Sequence, residues 1–469
     1  MRKFIFIVLS VLLVLSFTAL ALAEEPQIKI GGRILVRGWY FDNVDWILPP
    51  PSSTANKIWG VPEDANSTAF YTTNAYLTVD AKISDNLQAY MELETSGGQQ
   101  SGLYVWGTND AKPAADLWFR QLWMQYTGSG LLGVPAGIKV GHQLLTLGEK
   151  QFYNMERFGT DAIVVFVEPT KELFLGALTA KHNEGDIAFS GDDVDADVIM
   201  GTYKLDKDNT LGLFGALVNC NDITQATNGL VTDLDTLKLW NIGLHANGKI
   251  MNMLTYAAEL DWQFGNVQER GAGGEKEKFK GYALMAKLGY EVPAAPLTVR
   301  GSFVYGSGDK DDTNENISEF QFVGPADTET AIARFPHYTQ IYERTINTAA
   351  FEQVISGPAR NTGTANTTYY NLGLDFVPTK DLTLSLDGFY LQATQTGAWE
   401  DAMGTSVDDS LGWEVDFKGS WKIAKNLTYF VEAGWFNPGG FYDDTWCTIF
   451  GNGESKNVVQ AIQGLNITF

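Results

Sequence analysis

From Leu411 to Phe436 the side chains alternate between greasy and polar across one short break, and this pattern restricts the fold more than any other feature. Leu411, Trp413, Val415, Phe417, Gly419 and Trp421 interleave with Gly412, Glu414, Asp416, Lys418, Ser420 and Lys422. Beyond Ala424-Lys425-Asn426, Leu427, Tyr429, Val431, Ala433 and Trp435 interleave with Thr428, Phe430, Glu432 and Gly434. A β-strand sends successive side chains to opposite faces, so each stretch has one greasy and one largely polar face. The break has the length of a hairpin turn. Aromatics near the ends of the greasy faces suit a membrane–water boundary. A soluble sandwich would show the same hairpin, so the number of recurrences has to decide.

The alternation recurs almost to the end of the chain. Ile28, Ile30, Ile34, Val36 and Tyr40 oppose Lys29, Arg33 and Arg37; Leu87, Ala89, Met91 and Leu93 oppose Gln88, Tyr90, Glu92 and Glu94. Leu254, Tyr256, Ala258, Leu260, Trp262 and Phe264 oppose Thr255, Glu259, Asp261 and Gln263. About eighteen such segments can be read, each near the ~9–11 residues that cross a bilayer as a tilted strand. Short connections, near Asp85, Val134, Pro169, Asp208, Gly248, Pro293, Thr379 and Lys425, take turns with long ones. A soluble sandwich has no reason to confine its long loops to every second turn. A membrane barrel does, with short periplasmic turns and long outer loops. The expected fold is therefore all-β, a closed transmembrane antiparallel barrel of about 18 strands, because lipid offers no partner to an open sheet edge.

The amino end supports export. Arg2 and Lys3 precede an apolar run to about Leu20, and Ala21-Leu22-Ala23 is a small-x-small cleavage site. Residues 1–23 are expected to be a cleaved signal peptide and 24–469 the barrel. Without Arg2 and Lys3 the chain keeps 31 basic and 56 acidic residues, a formal charge of −25. Nucleic acid is excluded as a partner, since binding it needs phosphate neutralisation. Cys220 and Cys447 allow at most one disulfide and form no Cys-x-x-Cys motif, so no metal or cofactor is expected. The last strand places Val459, Ala461, Leu465, Ile467 and the terminal Phe469 on one face.

In that ending the chain resembles Gram-negative outer-membrane porins, whose final strand closes on Phe and is read by the barrel-assembly machinery. The resemblance implies residence in the outer membrane, among lipid and lipopolysaccharide. Gly137-Ile138-Lys139-Val140-Gly141-His142-Gln143, followed by Leu147-Gly148, is similar to a strand motif of several porin families. The alginate-export type is one; Arg usually stands there in the place of His142. Alginate itself is disfavoured on charge, because exporting a polyanion calls for a basic lumen and this chain is acidic.

Function should lie with the residues facing the lumen. A lipid-facing Arg or Lys at mid-membrane costs about 2–4 kcal/mol, so alternation turns the charges inward. That assigns Lys29, Arg33, Arg37, Lys287 and Arg300 to the wall, with Arg120 joining them. It also assigns Asp80, Glu92, Glu94, Glu259, Asp261, Asp375, Asp387, Glu414, Asp416 and Glu432. These charges either set ion preference at a constriction or only pair across strands and keep the lumen wet. Their balance leads us to expect a mild preference for cations.

The 306–368 connection is too long for a bare loop. Its start, Asp309-Lys310-Asp311-Asp312, reads as exposed; its apolar later part, carrying Arg334, His337 and Arg344, would fold into the lumen or form an outer cap or homotrimer contact. The acidic run Asp192–Asp197 reads as a solvated loop, with divalent-cation binding as the sharper alternative. The dispersed histidines and the lack of nucleophile signatures argue against an enzyme. The expected function is a passive channel for ions or small polar solutes. The alternative is a conduit barrel that sheathes a periplasmic electron-transfer partner; an empty, wide lumen would favour it. A barrel enzyme would require a His bonded to Ser or a carboxylate at the outer rim.

Overall fold

The computed structural model describes residues 26–43, 67–97, 104–107, 115–130, 133–184, 193–221, 234–269, 274, 276–311, 315–324, 339–346, 348–354, 362–451 and 453–469. The expected signal peptide, Arg334 and His337 lie outside them.

The first strands are β1 (Gln27–Asp42), β2 (Ser67–Lys82), β3 (Leu87–Gly97), β4 (Tyr104–Val105), β5 (Ala115–Ser129), β6 (Pro135–Gln143) and β7 (Thr160–Val167). Then come β8 (Leu173–Asn183), β9 (Val194–Lys204), β10 (Thr210–Cys220), β11 (Leu234–Ile250), β12 (Leu254–Glu269), β13 (Lys276–Phe279) and β14 (Tyr282–Glu291). The remainder are β15 (Leu297–Gly306), β16 (Asn316–Ile317), β17 (Thr367–Thr379), β18 (Leu382–Ala393), β19 (Ser410–Ala424), β20 (Leu427–Pro438) and β21 (Val458–Thr468). All but β4, β13 and β16 are long, which gives a barrel of 18 crossing strands. Each long strand runs antiparallel to its neighbours, and β1 pairs with both β2 and β21, so the sheet is closed. Two residues of β13 pair in parallel with β16.

Burial decides between a membrane barrel and a soluble sandwich. On β19, Trp413 is 55 % exposed while the adjacent Glu414 is 0 % exposed. Ile28 and Ile30 on β1 are likewise exposed, and Asp261 on β12 is buried beside exposed Leu260 and Trp262. Apolar side chains thus stand outside and carboxylates inside, the reverse of a sandwich in water and the order that lipid imposes. No helix among the described residues is long and apolar enough to cross a membrane.

Three local expectations are corrected. The turn expected at Gly248 comes later: β11 runs to Ile250, and Met251 and Asn252, at φ 53° and 56°, make the bend. The acidic run is not all loop, since β9 begins at Val194 and places Val194, Ala196 and Val198 in the interior. Asp193 is buried and Asp195 lies on the strand; Lys181 Nζ reaches them at 2.7 and 3.4 Å. Asp309, expected to be exposed, is buried and accepts the backbone N–H groups of Asp311, at 3.0 Å, and Ser318. A hydrophilic stretch reads as solvated, yet a carboxylate that gathers local N–H groups is satisfied without water.

Candidate functional site

Among the described residues, several connections pack in the interior, and two of them meet the wall carboxylates. One is 144–159, between β6 and β7. Its Leu147, Phe152, Tyr153 and Met155 pack on inward residues of β7 to β12, among them Val164, Leu178, Val198, Ala216 and Leu239. The other is 339–354, within the long connection between β15 and β17. Its Ile341, Tyr342, Ile346 and Ala349 pack on Trp39, Val304, Phe389, Leu411, Phe436 and Ile462. Burying a Leu- or Phe-sized side chain is worth about 1.5–3 kcal/mol, so these segments are held in the barrel as firmly as a small core.

The wall carboxylates fasten both segments. Arg157 donates to Glu94 through both terminal nitrogens, at 2.7 and 3.0 Å, and Glu94 also accepts from Tyr76 at 2.7 Å. Arg120 bonds Glu92 at 3.0 Å and the Glu156 carbonyl at 2.7 Å. Farther around the ring, Glu259 on β12 accepts the backbone N–H of Glu149, and Asp261 accepts from Asn241 at 2.7 Å. The 144–159 segment therefore spans the lumen from β3 to β12. The 339–346 stretch is fastened opposite: Glu414 and Asp416 take backbone N–H groups of residues 340–342, and Arg344 reaches Glu432 at 3.4 Å. Lys287 on β14 lies within electrostatic reach of Glu149 and Lys150 from one segment and Glu343 from the other, where the two approach.

The remaining charges sort by what they meet. Arg300 grips two acids, Asp375 through Nε at 2.6 Å and Asp387 through Nη1 at 2.8 Å. Arg37 donates to Asn74. Lys29 stands opposite Asp80, whose carboxylate accepts from Gln88 at 2.7 Å. Arg33 lies over the Tyr76 ring at 4.0 Å and Lys139 over the Trp123 ring at 4.0 Å. Among the described residues Arg33, Lys139 and Lys418 make no ion pair, and all three are part-exposed. Arg33 and Lys418 line one hollow of about 360 Å³; Lys287, Arg300 and Lys418 line another of about 500 Å³.

Sequence reasoning did not pick out Lys139, Lys418, Glu149, Lys150 or Arg157. Lys139 and Lys418 followed from the same alternation that yielded Lys287. The 144–159 segment was signalled by Phe152, Tyr153 and Met155, which a solvated loop has little reason to carry.

One of the histidines meets a carboxylate. His142 Nδ1 lies 2.9 Å from the exposed Asp161 carboxylate, but Nε2 is 2.7 Å from the Phe158 carbonyl. Both ring nitrogens are thus engaged, and among the described residues no serine hydroxyl is bonded to either. His182 packs against Tyr153 and His245 against Phe214. Among the described residues no group of three His, Cys, Asp or Glu side chains could hold a metal ion.

Residues 62–447 match the model of the family described as Alginate export. No curated protein matches the chain. Among solved structures it is similar to the outer membrane protein OprD from Pseudomonas aeruginosa, with 12 % identity over 96 % of each chain and a TM-score of 0.52. A BenF-like porin from Pseudomonas fluorescens Pf-5 is similar at 11 % identity, over 96 % of this chain and 100 % of that one, with a TM-score of 0.52. OccK8 (OprE) of Pseudomonas aeruginosa is similar at 13 % identity, over 94 % and 98 %, with a TM-score of 0.51. At such identities the likeness carries the fold.

Proposed function

This chain belongs to the alginate export family, and from that membership and the lumen's geometry we propose a passive outer-membrane porin for small polar solutes, with a preference for anions. It is a channel without catalysis, reached through a cleaved signal peptide and the assembly machinery that reads the strand ending at Phe469. One observation carries the anion preference. Most interior acids are spent on clasps and ion pairs, with Asp80 held by Gln88; Glu94, Glu259, Asp261, Glu414 and Asp416 are buried, whereas Arg33, Lys139 and Lys418 keep part-exposed heads. A permeating ion meets the wetted charges at close range, so these cations outweigh an acidic composition that lies largely elsewhere.

This reading replaces the mild cation preference expected from the sequence. It also weakens the charge argument against an anionic cargo. The conduit alternative loses support, because a sheath needs a wide, open lumen and the connections packed inside narrow this one. Swelling of liposomes carrying the purified protein, in isotonic solutions of small neutral, anionic and cationic solutes, tests the proposal. Entry fastest for the small anions is expected; no entry above protein-free liposomes would refute the channel itself.

A further inference from the structure

The 339–346 stretch is attached to the wall through a single carboxylate more than through any other group. Gln340 and Ile341 donate their backbone N–H groups to Glu414 Oε1 at 2.7 and 2.6 Å, and Tyr342 donates to Oε2 at 2.9 Å. Gln340 N–H also reaches Asp416 Oδ2 at 2.9 Å. Successive N–H groups that converge in this way form an anion-binding nest, and here the anion is a side chain of the barrel. Glu414 is fully buried, so no water stands ready to replace it. The other wall groups each give one tie: the Tyr342 hydroxyl meets Thr367 at 2.6 Å, Thr345 meets Gln460, and Arg344 meets Glu432 at 3.4 Å.

We propose that Glu414 is a positioning residue that sets the size limit of the pore, by holding the 339–346 stretch inside the barrel through three consecutive backbone N–H groups. The inference rests on the porin reading. Charge and two acceptor oxygens are both required. A glutamine keeps the shape but turns an NH₂ group toward one of the donors, and a buried donor left without an acceptor is expensive. The stretch then leaves the wall and the lumen widens. Release of the stretch also takes Gln340 from Asp416 and Arg344 from Glu432, so the reversal potential should move toward cations as the pore widens.

Gly434 on β20 allows the idea to be separated from general damage. A Cβ there would stand 3.0 Å from the Cβ of Gln340, so after a separation to the ~3.5–4.5 Å of a disulfide, cysteines at 340 and 434 would tether the stretch covalently. The experiment measures liposome swelling with a graded series of neutral sugars, together with the reversal potential, for wild type, Glu414→Gln, and Glu414→Gln carrying Gln340→Cys and Gly434→Cys. Glu414→Gln should admit sugars at least one unit larger, with the reversal potential moved toward cations. The oxidised tether should restore the wild-type limit, and reduction should abolish the rescue. An unchanged sugar limit in folded Glu414→Gln overturns the proposal, and so does a shifted reversal potential without a change in size. If Glu414→Gln does not fold, Gln340→Pro removes the donor shared by both carboxylates from the loop side; it should widen the pore, and an unchanged limit again overturns the idea. A wild-type protein that passes no solute would refute the porin reading instead.

Discussion

Gly32 and Phe469 exchange both of their backbone hydrogen bonds: Gly32 N–H donates to the Phe469 carbonyl at 3.0 Å and Phe469 N–H to the Gly32 carbonyl at 3.1 Å. The terminal residue is thus the last stitch between β21 and β1. A Cβ on Gly32 would stand 2.5 Å from the Tyr76 carbonyl oxygen and 2.6 Å from the Phe469 ring, so the seat requires glycine.

Gly32→Val and deletion of Phe469 should therefore both impair closure. Each removes or blocks two hydrogen bonds worth about 1 kcal/mol apiece, at a seam that lipid cannot satisfy. Both variants should reach the periplasm and accumulate poorly in the outer membrane. Wild-type levels, with the usual faster migration of the unboiled barrel, would contradict this.

The buried pair Arg157–Glu94 ties the 144–159 segment to β3. Arg157→Ala leaves Glu94 buried beside Tyr76 and Asn74 with its main cation gone; Arg120 remains only at 4.0 Å. Losing one partner of a buried pair costs about 3–5 kcal/mol. Denaturant unfolding should show a loss of that order together with a larger single-channel conductance. Wild-type values of both would show that the segment is held by its apolar residues alone.

Cys220 and Cys447 are buried, form no disulfide with each other, and sit in separate core clusters. Two thiols should titrate in denatured, unreduced protein, and none would mean that the chain forms a disulfide. Burial, with Asp443 nearby, pushes the Cys447 thiol up to about 11. Alkylation of the native protein at Cys447 should be negligible at pH 8 and rise as pH approaches 11, because only the thiolate reacts. Rapid native labelling at pH 8 would show that the outer connection is open.

Arg300 neutralises two acids, so its removal should alter selectivity more than removal of an unpaired cation. Arg300→Gln uncovers Asp375 and Asp387 to the lumen; Arg33→Gln removes one charge and uncovers none. The reversal potential should move toward cations in both, and further in Arg300→Gln. Equal shifts would mean that Asp375 and Asp387 find other partners.

The wall was legible in the sequence because lipid enforces a strict rule: Trp413 outside and Glu414 inside follow from strand period and the cost of exposing charge to hydrocarbon. What the inward charges do was not legible. Glu259 and Glu414 looked like selectivity residues, yet each receives N–H groups from a segment more than seventy positions away, and the sequence carries no local sign of that contact. Arg344 was noticed through the apolar residues around it; Arg157 sits in a similar setting and was passed over. Arg334 and His337 lie outside the described residues.

The direct test of the central claim is the reversal potential of the purified protein in a planar bilayer under asymmetric potassium chloride. A pore whose wetted wall carries Arg33, Lys139 and Lys418 should give the sign of anion preference, weakening as salt rises and screening shortens below about 8 Å. A reversal potential of the cation-preferring sign would contradict the account, because it would mean that the acids held in the clasps, and not the exposed cations, govern what passes.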